Sequence, residues 1–498
     1  MTDAQAVVAD LEGFGDRVSA SVAAGARFCG LFASAAPSGT RLAAVLADGT
    51  RLWIEAATVP VAAASYPALT PRVPAAAWYE REIHDLFGLE AVGHGRLDAL
   101  VLPLTPGAGR PRPGAGKPLE PVVLDTTPLP AHVSGEGVFT IPYGPVRSGV
   151  FEAVEYLVET PGEDIPHLRT RVFHKHRGVE VRFEGLDPFD GVLLAERYEG
   201  VASVAHAIAF CGAVERLGDA EIPEAAALMR VVHAELERIA NHLDSVVRHA
   251  EAAGQAVANA RLSLQKERVL QLRSRLCGSR FGRGVVVPGG VSGPPLMGLD
   301  GLVDAIDRLE RGVREDLGLL MATPSFVDRL RGTGVVPPDV ARELGALGPV
   351  GRGSAQMFDA RLDRPYAAYG RLGFRLIDPH ETGDALARQQ VRNDEIGAAF
   401  HLIRQSIDRL RHMPQADHAW AVPIDGRLSG ETMGWAEAPQ GELLYLVAFD
   451  EGRAVRVKPR SASFHNLGLF HMAFSKDIFT DFAFIEASFG LSIAGAAG

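Results

Sequence analysis

Eight prolines and four glycines crowd the stretch from Pro103 to Pro130, and no helix or central strand can run through them. Proline removes the backbone donor and fixes φ, so such a segment reads as an extended linker. It divides the chain into residues 1–102, a Pro/Gly-rich linker over 103–137, and residues 138–498. A chain of 498 residues is in any case too long for one ordinary core, which leads to the same expectation of separate domains.

The first part mixes an opening helix-like segment with short alternating runs, Arg41–Leu46 and Arg51–Glu55, the pattern of a small α+β unit. After the linker, Val150–Leu157 alternates like a strand. Helical periodicity then takes over. Leu228, Val232, Leu236, Ile239, Leu243 and Val246 recur at three- and four-residue steps within residues 223–253, and Val391, Ile396, Phe400, Ile403 and Ile407 do so within 383–413. The expected class is α+β: a small N-terminal α/β sandwich-like domain, then a large domain of long packed helices with a small β-sheet at its N-terminal edge.

The composition excludes several functions. A formal charge of −11 is wrong for a nucleic-acid partner, which demands basic surface. Three cysteines, Cys29, Cys211 and Cys277, share no CxxC spacing; a disulfide framework and a self-contained cysteine-ligated iron–sulfur cluster are both excluded. The acidic start, MTDAQAVVADLEGFGD, lacks the features of a signal peptide. No stretch reaches the roughly 18 uncharged apolar residues that cross a bilayer, so a membrane connection has to come through other subunits. No G-x-G-x-x-G follows a strand, and no dinucleotide pocket is expected. His174 and His176 alternate as on one face of a strand but have no third ligand in view, and read as a polar strand edge.

Longer words carry more. Trp78-Tyr79-Glu80-Arg81-Glu82-Ile83-His84-Asp85-Leu86-Phe87-Gly88 resembles the W-x-E-R-E-x-x-D-x-F-G signature of the small peripheral-arm subunit of complex I; taken alone it is an amphipathic helix ending at Gly88. Beyond the linker, Ile141–Val146, Lys175-His176-Arg177-Gly178-Val179-Glu180, Glu196–Arg197 with Ser203–Cys211, Ala234–Leu243, Gly284–Val291, Asp363–Tyr366, Gly383–Arg388 and Glu437–Glu442 stand in the order of the large subunit of group 4 nickel–iron hydrogenases, the formate hydrogenlyase type included, and of the quinone-site subunit of complex I. The fusion of both parts in one chain is similar to formate hydrogenlyase-type large subunits.

That resemblance implies two cysteine pairs holding nickel and iron, because soft thiolates bind nickel and bridge two metals. Here the matching positions are Glu199 and Ala202, then Ser492 and Gly495, and all four thiolates are gone. The resemblance to complex I implies head-group partners for a quinone, but the matching positions are Phe151, Gly200 and Arg147. The expectation is therefore no metal and no cofactor in this chain, an iron–sulfur cluster in a small partner subunit, and quinone as a candidate acceptor.

The candidate site is the polar ring that remains: Arg147 and Glu152 after the linker; His176, Arg177 and Glu180, the last matching the glutamate that relays protons in the family; Arg197 and Glu199; His206, expected on one helix face with Glu199; and Asp384 with Arg388 one turn apart. The leading expectation is a subunit of a membrane-associated, energy-converting, hydrogenase-related oxidoreductase. It would be held at the cytoplasmic face of the membrane by integral-membrane ion-translocating subunits. The alternatives are a non-redox scaffold of the same complex and, third, hydrogenase or NADH-quinone oxidoreductase activity.

Overall fold

In the computed structural model the described residues are 7–9, 11–103, 113–114, 133, 135, 137–147, 152–414 and 417–498. The first sheet is ordered Val7–Ala9, Arg51–Pro60, Gly39–Asp48, Arg27–Ala36, with the edge strand parallel to its neighbour and the rest antiparallel. Its tight turns dictate their residues. Gly39 sits at φ +149°, where a Cβ would fall 1.9 Å from the carbonyl oxygen of Val59. The helix Leu11–Ala23 covers this sheet. The helix Ala77–Phe87 ends at Gly88, whose left-handed φ of 73° closes the C-cap, as the sequence predicts.

Downstream, Phe139–Tyr143, Glu155–Thr160 and His167–Arg171 form a three-stranded antiparallel sheet. The strand expected from Val150 begins only at Glu155; Glu152 to Val154 are irregular, and Val150 and Phe151 lie outside the described residues. The long helices are Ser203–Leu217, Glu224–Ala252, Ala256–Cys277, Leu299–Met321 and Ala385–His412. A meander of Gly430–Ala438, Gly441–Asp450 and Arg453–Arg460 packs on the helix Ser203–Leu217. That approach requires Gly434, whose Cβ would meet the Ala209 carbonyl at 1.9 Å. Three short helices end the chain: Ala462–Leu469, Phe482–Phe489 and Ile493–Ala497.

Two features go beyond the sequence pattern. One hydrophobic cluster joins Phe14, Val45 and Tyr79 of the first part to Phe464, Phe470, Phe482 and Ala497 at the other end. Tyr79 bonds His465 at 2.8 Å, and Trp78 meets the Phe464 ring edge-on. The helix Glu224–Ala252, which reads as having one apolar face, is buried on its charged face too: Arg230, Glu235, Arg238 and His242 are all inaccessible. His174 lies in a 3-10 turn, Phe173–Lys175, rather than on a strand edge. No described helix is long and apolar enough to cross a membrane.

Candidate functional site

Asp187 caps the helix Pro188–Ala195 through its carboxylate, with Pro188 at the first helical position, and this helix leads into a segment of which Glu196, Tyr198, Glu199 and Ala202 are buried. Glu199 is inaccessible there. Its carboxylate accepts from Ser463 Oγ at 2.7 Å and meets His206 Nε2 at 3.1 Å; His206 Nδ1 faces the Tyr445 hydroxyl at 2.8 Å. The expectation that Glu199 and His206 share a helix face needs amending. The helix starts at Ser203, so Glu199 precedes it, and the bend before the helix brings the two together.

Directly opposite Glu199 is Gly495. A Cβ on Gly495 would lie 2.6 Å from the Glu199 carboxyl carbon and 2.8–2.9 Å from its oxygens. The two positions are complementary: the carboxylate fills the space that a side chain at 495 would claim. Ala202 is a buried methyl, and Ser492 caps the last helix by accepting from the Gly495 amide at 3.3 Å. A nickel–iron centre does not fit these residues. None of the four positions carries sulfur, and Glu199, the one ionisable group among them, is already engaged by Ser463 and His206. Among the described residues no group of three or more His, Cys, Asp or Glu forms a metal-binding cluster. Cys211 is buried in its helix, where burial pushes its thiol well up.

The other candidate residues do not close one ring. Several of them grip the C-terminal segment instead. Glu152 accepts from the amides of Ile493 at 2.5 Å and Ala494 at 3.2 Å and from Ser492 Oγ. His176 Nδ1 lies 2.5 Å from the Ala497 carbonyl, and Arg177 donates to the carbonyls of Tyr198 and Ala494. Arg147 forms a two-point pair with Glu486 at 2.7 and 3.0 Å, supported by the Tyr156 hydroxyl. Arg388 reaches Ser488 and the carbonyls of Gly383 and Gly334. Asp384 caps its helix through the Ala387 amide and holds the Gly332 amide; it makes no ion pair with Arg388. Arg197 points outward, half exposed, and pairs with Glu196. Gly200 lies in an exposed turn with open space where a Cβ would be, and Phe151 lies outside the described residues.

Glu180 belongs to a separate buried cluster. Lys458 Nζ sits 2.6 Å from Glu180 and 2.7–2.8 Å from both oxygens of Glu82, while Arg456 pairs with Glu180 at 2.7 Å. Burial raises the Glu180 carboxyl, but Lys458 and Arg456 outweigh it and hold the group below its usual range. Glu82 is pushed up, because burial and the Glu180 charge outweigh its share of Lys458. The sequence reading missed Lys458, Arg456, Tyr445, Ser463 and Glu486. A signal was present for two of them: Arg456, Lys458 and Arg460 alternate on one strand face, and a basic row on a buried strand demands buried acids.

A larger ionic network is built around Glu395. Glu395 accepts from Arg352 at 2.6 and 3.0 Å, His242 at 2.8 Å and Arg238 at 3.3 Å. Arg361 binds Asp359 and Glu235, and Glu437 pairs with Arg352. Its members come from the words Ala234–Leu243 and Glu437–Glu442, from the helix Ala385–His412 and from the short helices Gly348–Arg352 and Ala360–Asp363 with the N-cap Asp359, so segments far apart in the chain meet in space.

A small sheet domain, a long-helix bundle and a sealed pocket between two degenerate ligand motifs define a large-subunit scaffold of the hydrogenase and complex I kind. The comparisons agree. Residues 38–116 match the family "Respiratory-chain NADH dehydrogenase, 30 Kd subunit", and residues 254–427 match "Respiratory-chain NADH dehydrogenase, 49 Kd subunit". The carbon monoxide-induced hydrogenase of Rhodospirillum rubrum is 31% identical over 331 residues, 66% of this chain and 90% of that protein. An NADH-quinone oxidoreductase subunit of Deinococcus radiodurans is 31% identical over 349 residues, 65% of this chain and 87% of that one. Formate hydrogenlyase subunit 5 of Escherichia coli is 28% identical over 436 residues, 84% of this chain and 74% of that protein. The chain belongs to the family of complex I 49 kDa-type and group 4 hydrogenase large subunits, in the form fused to a 30 kDa-type domain.

Proposed function

We propose that this chain is a subunit of an energy-converting, complex I-like oxidoreductase complex, in which electron transfer is coupled to proton or ion movement, and that it works without a nickel–iron centre. The observation that carries the second half is the packing of the Glu199 carboxylate against Gly495, with Ser463 and His206 as its partners. The first half is supported by relatives that are hydrogenase and NADH-quinone oxidoreductase subunits. The partners that go with it are a small iron–sulfur subunit, the electron donor or acceptor next to this chain, and integral-membrane ion-translocating subunits that hold it at the cytoplasmic face. Quinone is the candidate acceptor.

In this reading the chain's own residues handle protons. Glu199 and His206 form a hydrogen-bonded acid–imidazole pair with Tyr445 beyond it, and Glu180 is a second buried acid balanced by Lys458 and Arg456. The test is the native complex, purified through a tag on this chain. Iron–sulfur spectra in a co-purifying small subunit and nickel below stoichiometric level are expected; one nickel per complex overturns the reading. Glu180→Gln is expected to abolish coupled proton movement, and unchanged movement would remove Glu180 from the path.

A further inference from the structure

The helix Ser203–Leu217 follows the degenerate metal motif directly, and its N-cap residue is Ala202, which has no side chain to offer its first-turn amides. The cap comes from another helix. Glu237, in the middle of Glu224–Ala252 and inaccessible to solvent, accepts from the amide of Val204 at 2.8 Å and of Ala205 at 3.0 Å. Arg273, from the helix Ala256–Cys277, brings its guanidinium to 3.7 Å from the same carboxylate, beyond ordinary hydrogen-bond length. Its Nε and Nη2 atoms have no hydrogen-bond partner among the described residues, although the side chain is almost fully buried.

Two further buried atoms are equally unpartnered: His233 Nδ1 and Ser203 Oγ. His233 precedes Glu237 by one helical turn and lies on the same face, and Ser203 adjoins Val204. Gly282 packs against the same groups; a Cβ there would lie 2.5 Å from Arg273 Nη2 and 2.8 Å from the Val204 side chain. Buried polar atoms are almost always paired, so four orphans around one carboxylate mark a place where a second state has partners the first does not use.

We propose that Glu237 is a buried proton-binding site that takes up and releases a proton beneath the helix following Glu199. The ionised carboxylate is held by the two amides and Arg273. The protonated carboxyl keeps one amide bond and turns its new O–H toward the neutral imidazole of His233 or the Ser203 hydroxyl. The proton forms one O–H bond and breaks none but its own with the donor, so the step needs no co-reactant beyond water. The charges acting on Glu237 are Arg273 from the packed helix and Arg238 from its own, while the helix Ser203–Leu217 contributes amides only. Burial outweighs all of these and lifts the carboxyl to about 7. His233 is driven down to about 3 by burial and Arg273, so it stays neutral and offers a ring nitrogen as acceptor.

This inference deepens the proposed function by adding a proton site to it, but its test reads the carboxyl alone. Infrared difference titration of the purified full chain, from about pH 5 to about pH 9, follows the protonated-carboxyl stretch of acids in this range. Glu437 is also lifted to about 7, by burial and Asp359, so the Glu237 signal is the part lost in Glu237→Gln and kept in Glu437→Gln. Removing the favourable charge in Arg273→Met is expected to raise the Glu237 midpoint by about one unit or more. A spectrum unchanged in Glu237→Gln, or a midpoint unmoved in Arg273→Met, overturns the proposal. Should Glu237→Gln not fold, Arg273→Met decides by itself. A complex that moves no protons would sink the functional reading while leaving this titration intact.

Discussion

The large domain holds two buried polar regions, one around Glu395 and one around Glu199, and they were assembled on opposite terms. The network around Glu395 is dense in charge: Arg352, Arg238 and His242 converge on one carboxylate, and Arg361, Asp359, Glu235 and Glu437 add the remaining charges, while His242 Nδ1 has no partner among the described residues. The Glu199 pocket is sparse. It holds one carboxylate, one imidazole and two hydroxyls, with Gly495 packed against the carboxylate. Cutting a dense buried ionic network is costly, because each lost partner leaves charge less well compensated in low dielectric. The sparse pocket was free to change its chemistry as long as volume was conserved across positions 199 and 495. Scaffold and site are therefore separable: the fold persists on the network while the chemistry of the pocket changes.

The sharpest way to break this contrast is Glu395→Leu. It takes one buried carboxylate from Arg352, Arg238 and His242, leaving Arg352 with Asp359 and Glu437 and Arg238 with Glu235, and a loss of about 3–5 kcal/mol is expected in urea denaturation, a large part of a typical domain's total stability. A loss under about 1 kcal/mol would mean the network is incidental.

Acid acts on the same side of the comparison. Burial drives His242 down to about 4 within the network, and likewise His249 to about 4 and His233 and His465 to about 3. The unfolded chain protonates these rings near pH 6.5 and the folded one does not, so folding stability falls as pH drops from about 6.5 toward about 4. Glu237 and Glu437, lifted to about 7, act in the opposite direction: the folded state keeps their protons between about pH 4.5 and 7 and is favoured as pH falls there. These six groups by themselves, four against two, contribute a net loss of up to about 3 kcal/mol per pH unit near pH 5.5, in the direction of a falling Tm. A Tm independent of pH in this window would contradict the buried neutral histidines.

On the pocket side, Gly495→Cys forces a Cβ against Glu199 and is expected to cost about 1–3 kcal/mol. Glu199→Ala in the same chain should recover most of that loss, giving a strong favourable coupling in a double-mutant cycle. Additive effects would show that the two positions do not share one space. Smallest of all, Ser463→Ala removes one donor to Glu199 and the acceptor for the Ser492 amide, for a cost of about 1–2 kcal/mol in the same assay.

Much of the fold was legible. The periodicities placed the helices now seen at Glu224–Ala252 and Ala385–His412 and the strands Gly39–Asp48 and Arg51–Pro60, because amphipathic spacing is a local record of which face is buried. The late start of the strand at Glu155 was not legible, since Glu152 is drawn out of alternation to hold the amides of Ile493 and Ala494. Of the candidate residues, Glu199 and His206 meet as paired, while Glu180 pairs with Lys458, 278 residues after it, and shares that lysine with Glu82, 98 residues before it. Pairings over such separations leave no periodic trace.

By itself the sequence determined the family, the α+β class and the absence of sulfur at four positions, because each is a matter of residue identity or short-range spacing. Only the tertiary structure decided that Glu199 fills the space opposite Gly495, that the charged face of a long helix is buried against a second set of charges, and that Glu237 caps a helix that is not its own. Those outcomes depend on which distant surfaces share a limited volume, and close packing settles that only when the whole chain has folded.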